Sequence, residues 1–598
     1  MESSKRFILA FGLSALILIG FNFLVPQKGH KADNTPPQSL ASVTASQPPA
    51  ATMPTAPVAT AEVAQDDHKE HRLAVRSPDV QGSFNLRGAR LDDLELTRYR
   101  ETIAHDSPLV RLLDKAGSKA PNYLVLGWQN AAGDKTRVPD EHSLWQVDGE
   151  QEALTPEQPV TLYWDNGANV RFIIHLAQDR HYMVTVRQEV ENHSGQPISL
   201  YPFQRVQRDY LPENTGSLTE FEGPVSVMER DLTRNDYKDI RKGADKPGHV
   251  AWEATGKGGW GGITDKYWLT AVGADPALPV RLQESYVPEG AGSYRVTFMP
   301  QEPMVIQDGA RLGQGSYLFA GAKEPGLLRY YDRKLGLARF DDSIDFGWSA
   351  FSYLNKPILF LLHWLYAHIG NFGLALMALT LLVKILLFPL ASKAAQSSAR
   401  MRLVAPKVTG IRQKYKDDPV TMNQKVMALY KEEQINPVGG CLPMLIQAPI
   451  FFCLYKMLNL SIDERHAPFF GWIKDLSVPD PTNLFNLFGL LPFDPTHIVS
   501  FLHLSIWGAA LGITFWLLQK HSMIQMDPAQ ARIMQFMPVV YVFVMSSFPA
   551  GLLVYYTWNN VLTFLQQHYI ERRTALPVPL MKLGGRALRK RFGKKNEP

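Results

Sequence analysis

A lysine inside an apolar run is the first residue whose chemistry demands an explanation. Lys384 lies within Asn371–Ala391, a stretch dominated by Leu, Ile, Val, Ala, Phe and Met. An ammonium at the centre of a membrane-spanning helix costs about 2.5–3.5 kcal/mol on insertion scales, so something must offset it. Thr380 stands four residues earlier, on the same helical face. Gln447, Thr514, Gln535, Asn559, Asn560 and Thr563 fall inside other apolar stretches and would sit at similar depth. Two readings stay open. Either these side chains line a wet, positively charged cavity, or Lys384, about 10 Å from the end of its helix at 1.5 Å per residue, snorkels out to the head groups. Each Gln or Asn taken alone fits an interhelical hydrogen bond.

Other chemistry is scarce. The chain contains no P-loop, HExxH, GxSxG or paired-cysteine motif, so no catalytic set, metal or cofactor is expected. Its two cysteines, Cys441 and Cys453, would lie about 18 Å apart along one helix, too far to bridge within it. The formal net charge of +5 over 598 residues is too small to indicate sequence-specific nucleic-acid binding, and the distribution of charge matters more than its sum.

A mean hydropathy of −0.14 averages two unlike halves. Lys5 and Arg6 precede the apolar run Phe7–Val25, which at ~19 residues suits an N-terminal transmembrane anchor over 1–26. Residues 27–74, rich in Pro, Ala, Ser, Thr and Gln, read as a flexible tether. Over 75–340, short alternating runs broken by Gly, Pro, Asn and Asp predict a large antiparallel β-sandwich. Its clearest hairpin is Val160–Trp164, then Asp165-Asn166-Gly167, then Val170–Leu176, with Asn-Gly suited to a tight turn. Residues 341–370 are expected to hold an amphipathic interfacial helix, its apolar part Lys356–Ile369 with Pro357 in the first turn, and a membrane-spanning helix is the alternative.

Beyond them, apolar segments over 371–391, 439–460, 498–518, 533–548 and 550–568 predict five transmembrane helices. Together with the anchor they make this a multidomain membrane protein with an α-helical core. The fourth segment of the five, with about 16 residues, would span roughly 24 Å against a hydrocarbon core of about 30 Å, which would thin the bilayer locally. Basic residues set the orientation. Arg400, Arg402, Lys407, Arg412 and Lys414 crowd the loop 392–438, and nine Lys or Arg crowd the tail 571–598. Both, with the N-terminus, belong in the cytoplasm, and the β domain on the opposite side, the periplasm. Within the loop, Met401, Val404, Val408, Ile411 and Tyr415, then Met422, Val426 and Leu429, recur at helical spacing. Asp418 and Pro419 suit an N-cap and first turn. A helical hairpin follows, serving either as a topological determinant or as a docking arm for nascent chains, lipid head groups or the ribosome.

Several strings in the second half are highly specific: Asn436-Pro437-Val438-Gly439-Gly440-Cys441-Leu442-Pro443, Leu445-Ile446-Gln447-Ala448-Pro449-Ile450-Phe451, Phe536-Met537-Pro538 and Phe548-Pro549-Ala550-Gly551-Leu552. In this order they resemble the YidC/Oxa/Alb insertase family. Gly88-Ala89-Arg90-Leu91-Asp92-Asp93-Leu94 and Gly259-Trp260-Gly261-Gly262 extend the likeness to the double-membrane type with a large periplasmic domain. The resemblance implies a five-helix core holding a hydrated groove open to cytoplasm and lipid, with one buried cation, here Lys384. The family more often has arginine there; lysine keeps the charge and loses the planar donor fork. Gln447 corresponds to a groove position, as do Tyr556 and Asn560. The partners implied are nascent membrane proteins, the Sec translocon, the ribosome and lipids, and the resemblance implies an outer domain built like sugar-processing β-sandwiches but without their activity. A secondary transporter is the alternative for an intramembrane lysine, and a membrane-anchored sugar-binding module the alternative for the β domain.

Overall fold

The computed structural model describes residues 71–212, 221–290, 292–347, 349–415, 418–433, 453–489, 503–522 and 528–574. Outside them lie the expected anchor over 1–26, the tether up to Glu70, Gln447 with most of the segment 439–460, and the basic tail beyond Thr574. The first strand, Arg72–Arg76, begins inside the stretch expected as tether.

Alternation of side chains across the pleat builds the β domain. In Val160–Asp165 and Val170–Gln178, the residues Val160, Leu162, Val170, Phe172, Ile174 and Leu176 are at most 2% exposed. The two strands pair antiparallel from Val160 opposite Leu176 to Asp165 opposite Arg171. The connection has four residues rather than a tight Asn-Gly pair. Gly167 and Asn169 take the positive φ angles, 77° and 59°, and the Asn166 side chain accepts from the amides of Ala168 and Val170, closing the turn as Asn does in an Asx motif.

The strands form two sheets. An eleven-stranded sheet runs, in its main path, from Val250–Lys257 through Ile198–Arg208 and Asn122–Asn130 to Arg72–Arg76 and Ala153–Leu154. A nine-stranded sheet runs from Asp231–Arg234 through Trp260–Thr264, Arg311–Ala322 and Met183–Asn192 to Gln146–Val147. Pairing is antiparallel apart from Arg72–Arg76 against Ala153–Leu154. Both sheets contribute to one apolar core. Polar side chains also bridge it: Gln188 Nε2 donates to Gly127 O at 2.9 Å and Ser226 Oγ to Glu284 Oε1 at 2.7 Å. Such buried groups need partners because desolvation without them is costly.

Among the described residues, eight helices of at least 11 residues follow in chain order: α1 Pro325–Leu335, α2 Ser349–Ile369, α3 Phe372–Leu386, α4 Phe388–Lys414, α5 Pro419–Glu432, α6 Ile506–Ser522, α7 Pro528–Ser546 and α8 Ala550–Thr574. Residues 453–460 are helical as well. Gly370, with φ of 74°, ends α2 as a left-handed cap, and Asn371 starts α3 by accepting from Leu374 N at 3.0 Å.

The single helix expected over 371–391 is instead broken. α3 stops at Leu386, and the chain resumes at Phe388 with a bend of 61°. Pro389, in the first turn of α4, is the cause, since it lacks an amide to continue the α3 ladder and crowds the preceding turn. Among the described residues no single helix is long and apolar enough to cross a membrane, while this bent pair passes that test together. α7 has 19 residues, more than the 16 expected, which removes most of the expected shortfall in length. α8 runs to Thr574, six residues past its expected end. α4 and α5 pack as a hairpin through Val404, Val408, Val426, Leu429 and Tyr430, and Asp418 caps α5 by accepting from Thr421 N at 3.1 Å.

The β core continues into the helices. Leu359 of α2 and Met457, Leu460 and Ile462 belong to the same apolar cluster as the sheets. Lys456 Nζ donates to Asp345 Oδ2 at 2.6 Å, both largely buried, and Asn355 Nδ2 donates to Phe346 O at 2.6 Å. Burial pushes the Asp345 carboxyl up, but Arg234 and Lys456 beside it pull harder and hold it below the usual carboxylate range. Arg465 reaches back to Arg100 O at 2.7 Å with its guanidinium over Trp268. His363 pairs with Asp463 at 2.7 Å, which holds that imidazole above its usual value. A second core unites α2, α3, α6 and α8 through Leu362, Leu376, Leu379, Leu511 and Leu553.

Candidate functional site

Because α3 ends at Leu386, Lys384 sits in its last turn, not the roughly 10 Å from the end that 1.5 Å per residue would give an unbroken helix. The carbonyl end of a helix favours a cation. The half-buried ammonium turns toward α8 and donates to Thr563 Oγ1 at 2.7 Å. Thr563 Oγ1 in turn donates to Asn559 O at 2.6 Å. Among the described residues no carboxylate pairs with Lys384.

Thr380 is buried one turn away, and its hydroxyl donates to Leu376 O of its own helix at 2.7 Å, an ordinary way for a helical threonine to satisfy itself. Asn560 Nδ2 donates to Thr514 Oγ1 of α6 at 3.2 Å, an interhelical bond of the plain structural kind. Tyr556 meets Tyr541 of α7 edge to face, with ring centres 6.3 Å apart. Trp558 Nε1 donates to Met377 O of α3 at 3.1 Å.

Tyr556, Asn559, Asn560 and Thr563 follow the i, i+3, i+4, i+7 spacing that puts side chains on one helical face. This stripe of α8 touches α3 through Thr563, α6 through Asn560 and α7 through Tyr556. It brings Lys384, Tyr556 and Asn560 onto a common seam. Thr380 lies beside the seam with its hydroxyl turned back, and Gln447 falls outside the described residues. Tyr541 was missing from the sequence-based set. The four-residue spacing on α8 was a readable sign that its polar residues act together.

The turn before α8 is fixed by a loop. Ala550 N donates to Val478 O at 2.8 Å and Gly551 N to Leu476 O at 2.9 Å, which gives Phe548-Pro549-Ala550-Gly551 its structural role. Glu464 lies against this turn, 2% exposed, with Oε1 lacking a hydrogen-bond partner. Burial pushes its carboxyl well above the usual range, Lys266 pulls it back and Asp475 pushes it further.

In the hairpin, Lys407 Nζ bonds Glu433 Oε1 at 2.5 Å on the surface. Arg412 and Lys414 are exposed. Arg400 and Arg402 lie on α4, their side chains outside the described set.

The family model described as 60Kd inner membrane protein matches residues 364–576, and that described as YidC periplasmic domain matches residues 72–361. A membrane protein insertase YidC from Granulibacter bethesdensis is 45% identical over 579 residues, covering 96% of this chain and 99% of the relative. Another from Acidiphilium cryptum is 45% identical over 513 residues, covering 84% of each. A solved YidC insertase with its first transmembrane domain resolved is 16% identical, covers 84% of this chain and 93% of that one, and superposes with a TM-score of 0.34. With near-complete coverage at this identity, the chain belongs to the YidC family of inner-membrane proteins with a periplasmic β-sheet domain.

Proposed function

We propose that this protein integrates hydrophobic segments of newly made proteins into the inner membrane, through a hydrated cationic groove centred on Lys384. Its relatives carry the name membrane protein insertase. The observation that carries the mechanism is the Lys384 ammonium, turned inward onto Thr563 and unpaired with any carboxylate among the described residues. An unneutralised cation at the seam of four helices gives an acidic or polar flank a better resting place than hydrocarbon. Hydrophobic burial of the client helix in lipid then drives completion, and no nucleotide is consumed.

In this reading, the five segments after residue 370 cross the bilayer, the termini and the hairpin are cytoplasmic, and the β domain is periplasmic. α6 and α7, with 17 and 19 residues, span about 26 and 28 Å at 1.5 Å per residue, close to a core of about 30 Å, so they call for little local thinning. The exposed cations of the hairpin suit the ribosome or anionic lipid, and the Sec translocon is the partner for clients delivered through it.

The test is site-specific crosslinking from residues 380 and 384 to ribosome-bound chains, with Lys384→Ala and Lys384→Arg assayed for integration. A charge-assisted contact worth about 1.5–3 kcal/mol predicts at least a tenfold loss for Lys384→Ala with acidic-flanked clients and near-normal integration for Lys384→Arg. Normal integration by Lys384→Ala sinks the cationic mechanism.

A further inference from the structure

We propose that the cleft between α1 and α2 binds the head group of an anionic phospholipid. α1 buries Pro325, Leu328 and Tyr331 in the β domain. That leaves Gly326, Arg329, Tyr330, Arg333 and Lys334 on one face at i, i+3, i+4, i+7, i+8 spacing. With Phe360 of α2 they line a cleft of about 490 Å³, within the size range of small-molecule sites. Three of the six lining residues are cations and none is an acid.

The charge is left largely uncompensated. Arg329 stands 3.8 Å from Asp341, but that carboxylate is shared with Lys356 at 3.3 Å. Lys334 donates to the neutral Tyr330 hydroxyl at 2.6 Å. Arg333 has no ion pair among the described residues, and Asp332 does not line the cleft. Clustered, partly exposed guanidinium groups are the usual recognition chemistry for phosphate oxygens.

What marks the phosphate as a lipid's is the neighbouring surface. Phe360 shares its side of α2 with Tyr353, Leu361 and Trp364, which are 85, 36 and 55% exposed. This apolar stripe on a 21-residue helix suits acyl chains and the interfacial region, and the basic cleft opens at its edge, where the Arg329 guanidinium covers the Phe360 ring. The site rests on the membrane reading only in placing α2 at the bilayer surface.

Native mass spectrometry of the full-length protein in detergent tests it, titrating phosphatidylglycerol, phosphatidylcholine or inorganic phosphate. The wild type should retain one more phosphatidylglycerol than R329Q/R333Q/K334Q, whose apparent Kd for that lipid should rise at least tenfold. The charge-keeping pair R329K/R333K should hold most of the affinity, and the distant pair K115Q/K119Q all of it, which separates loss of the site from misfolding. Equal phosphatidylglycerol binding by the triple variant overturns the proposal, as does equal retention of phosphatidylcholine. Displacement of phosphatidylglycerol from the wild type by millimolar inorganic phosphate overturns it in favour of a soluble anion. No client protein enters this measurement, so a failure of the insertion mechanism would leave its outcome unchanged.

Discussion

Replacing Lys456 by methionine isolates the electrostatic clamp between the β domain and the helices. The substitution keeps the unbranched apolar stem and deletes the ammonium that bonds Asp345 at 2.6 Å. Removing one member of a buried ion pair costs about 3–5 kcal/mol when the survivor is left alone. Asp345 is not left alone, because Arg234 Nη1 stays 3.9 Å away and Gly347 N donates to the carboxylate at 3.0 Å. The expected cost is therefore about 2–3 kcal/mol, equivalent to a roughly 30- to 150-fold increase in local opening. Amide hydrogen exchange on the detergent-solubilised protein would read this at Phe346 and Gly347 and along residues 453–462. Lys456→Met combined with Asp345→Asn should return exchange to within about 1 kcal/mol of wild type, since the orphaned charge has gone too. The pH dependence follows from the depressed Asp345 value. Its contribution is complete above the unfolded value of about 3.9 and is lost as pH falls through the lower folded value, so wild type and variant should converge in acid. Unchanged exchange at neutral pH in the single variant, or a double variant as loose as the single, would refute the clamp.

Glu464→Gln should stabilise the protein near pH 8. Buried Glu464 titrates well above the usual range, so wild-type stability falls as pH rises past the unfolded value of about 4.3, and the gain from Gln should vanish below that pH; an equal melting shift at pH 4 and pH 8 contradicts this. Gly551→Ala would drive its Cβ into Glu464 Oε1 and should cost about 1–3 kcal/mol by overpacking, measured by thermal melting and relieved by adding Glu464→Ala. Thr563→Val removes the acceptor for Lys384 at similar volume. It should alter crosslinking from position 384 while leaving the melting temperature within about 3 °C of wild type, because a hydrogen bond from a charged group contributes about 1.5–3 kcal/mol, a small shift for a chain of 598 residues.

The β strands were legible because a half-buried pleat writes itself as alternation, as in Val170 to Leu176. The hairpin helices were legible from their three- and four-residue spacing and the Asp418-Pro419 start. The break at Leu387 was less so, because Ile385 to Leu390 is apolar on both sides of it, although Pro389 was a sufficient warning. α1 went unread inside a stretch taken as mainly β. The region 461–480 was hardest, since its order comes from partners distant in the chain, Arg465 with Arg100 and Asp463 with His363. No local pattern encodes those pairings. At the candidate site the residue types were apparent, but the pairing of Lys384 with Thr563 across 179 positions emerges only from how α3 and α8 pack.

The 61° bend leaves the segment without a single rigid beam. Pro389 has no amide to carry the ladder of α3 onward, so α3 and α4 meet at a corner and not along one shaft. The 27 residues of α4 reach about 40 Å from that corner at 1.5 Å per residue, and a sideways load at their tip meets the corner before it meets the amine.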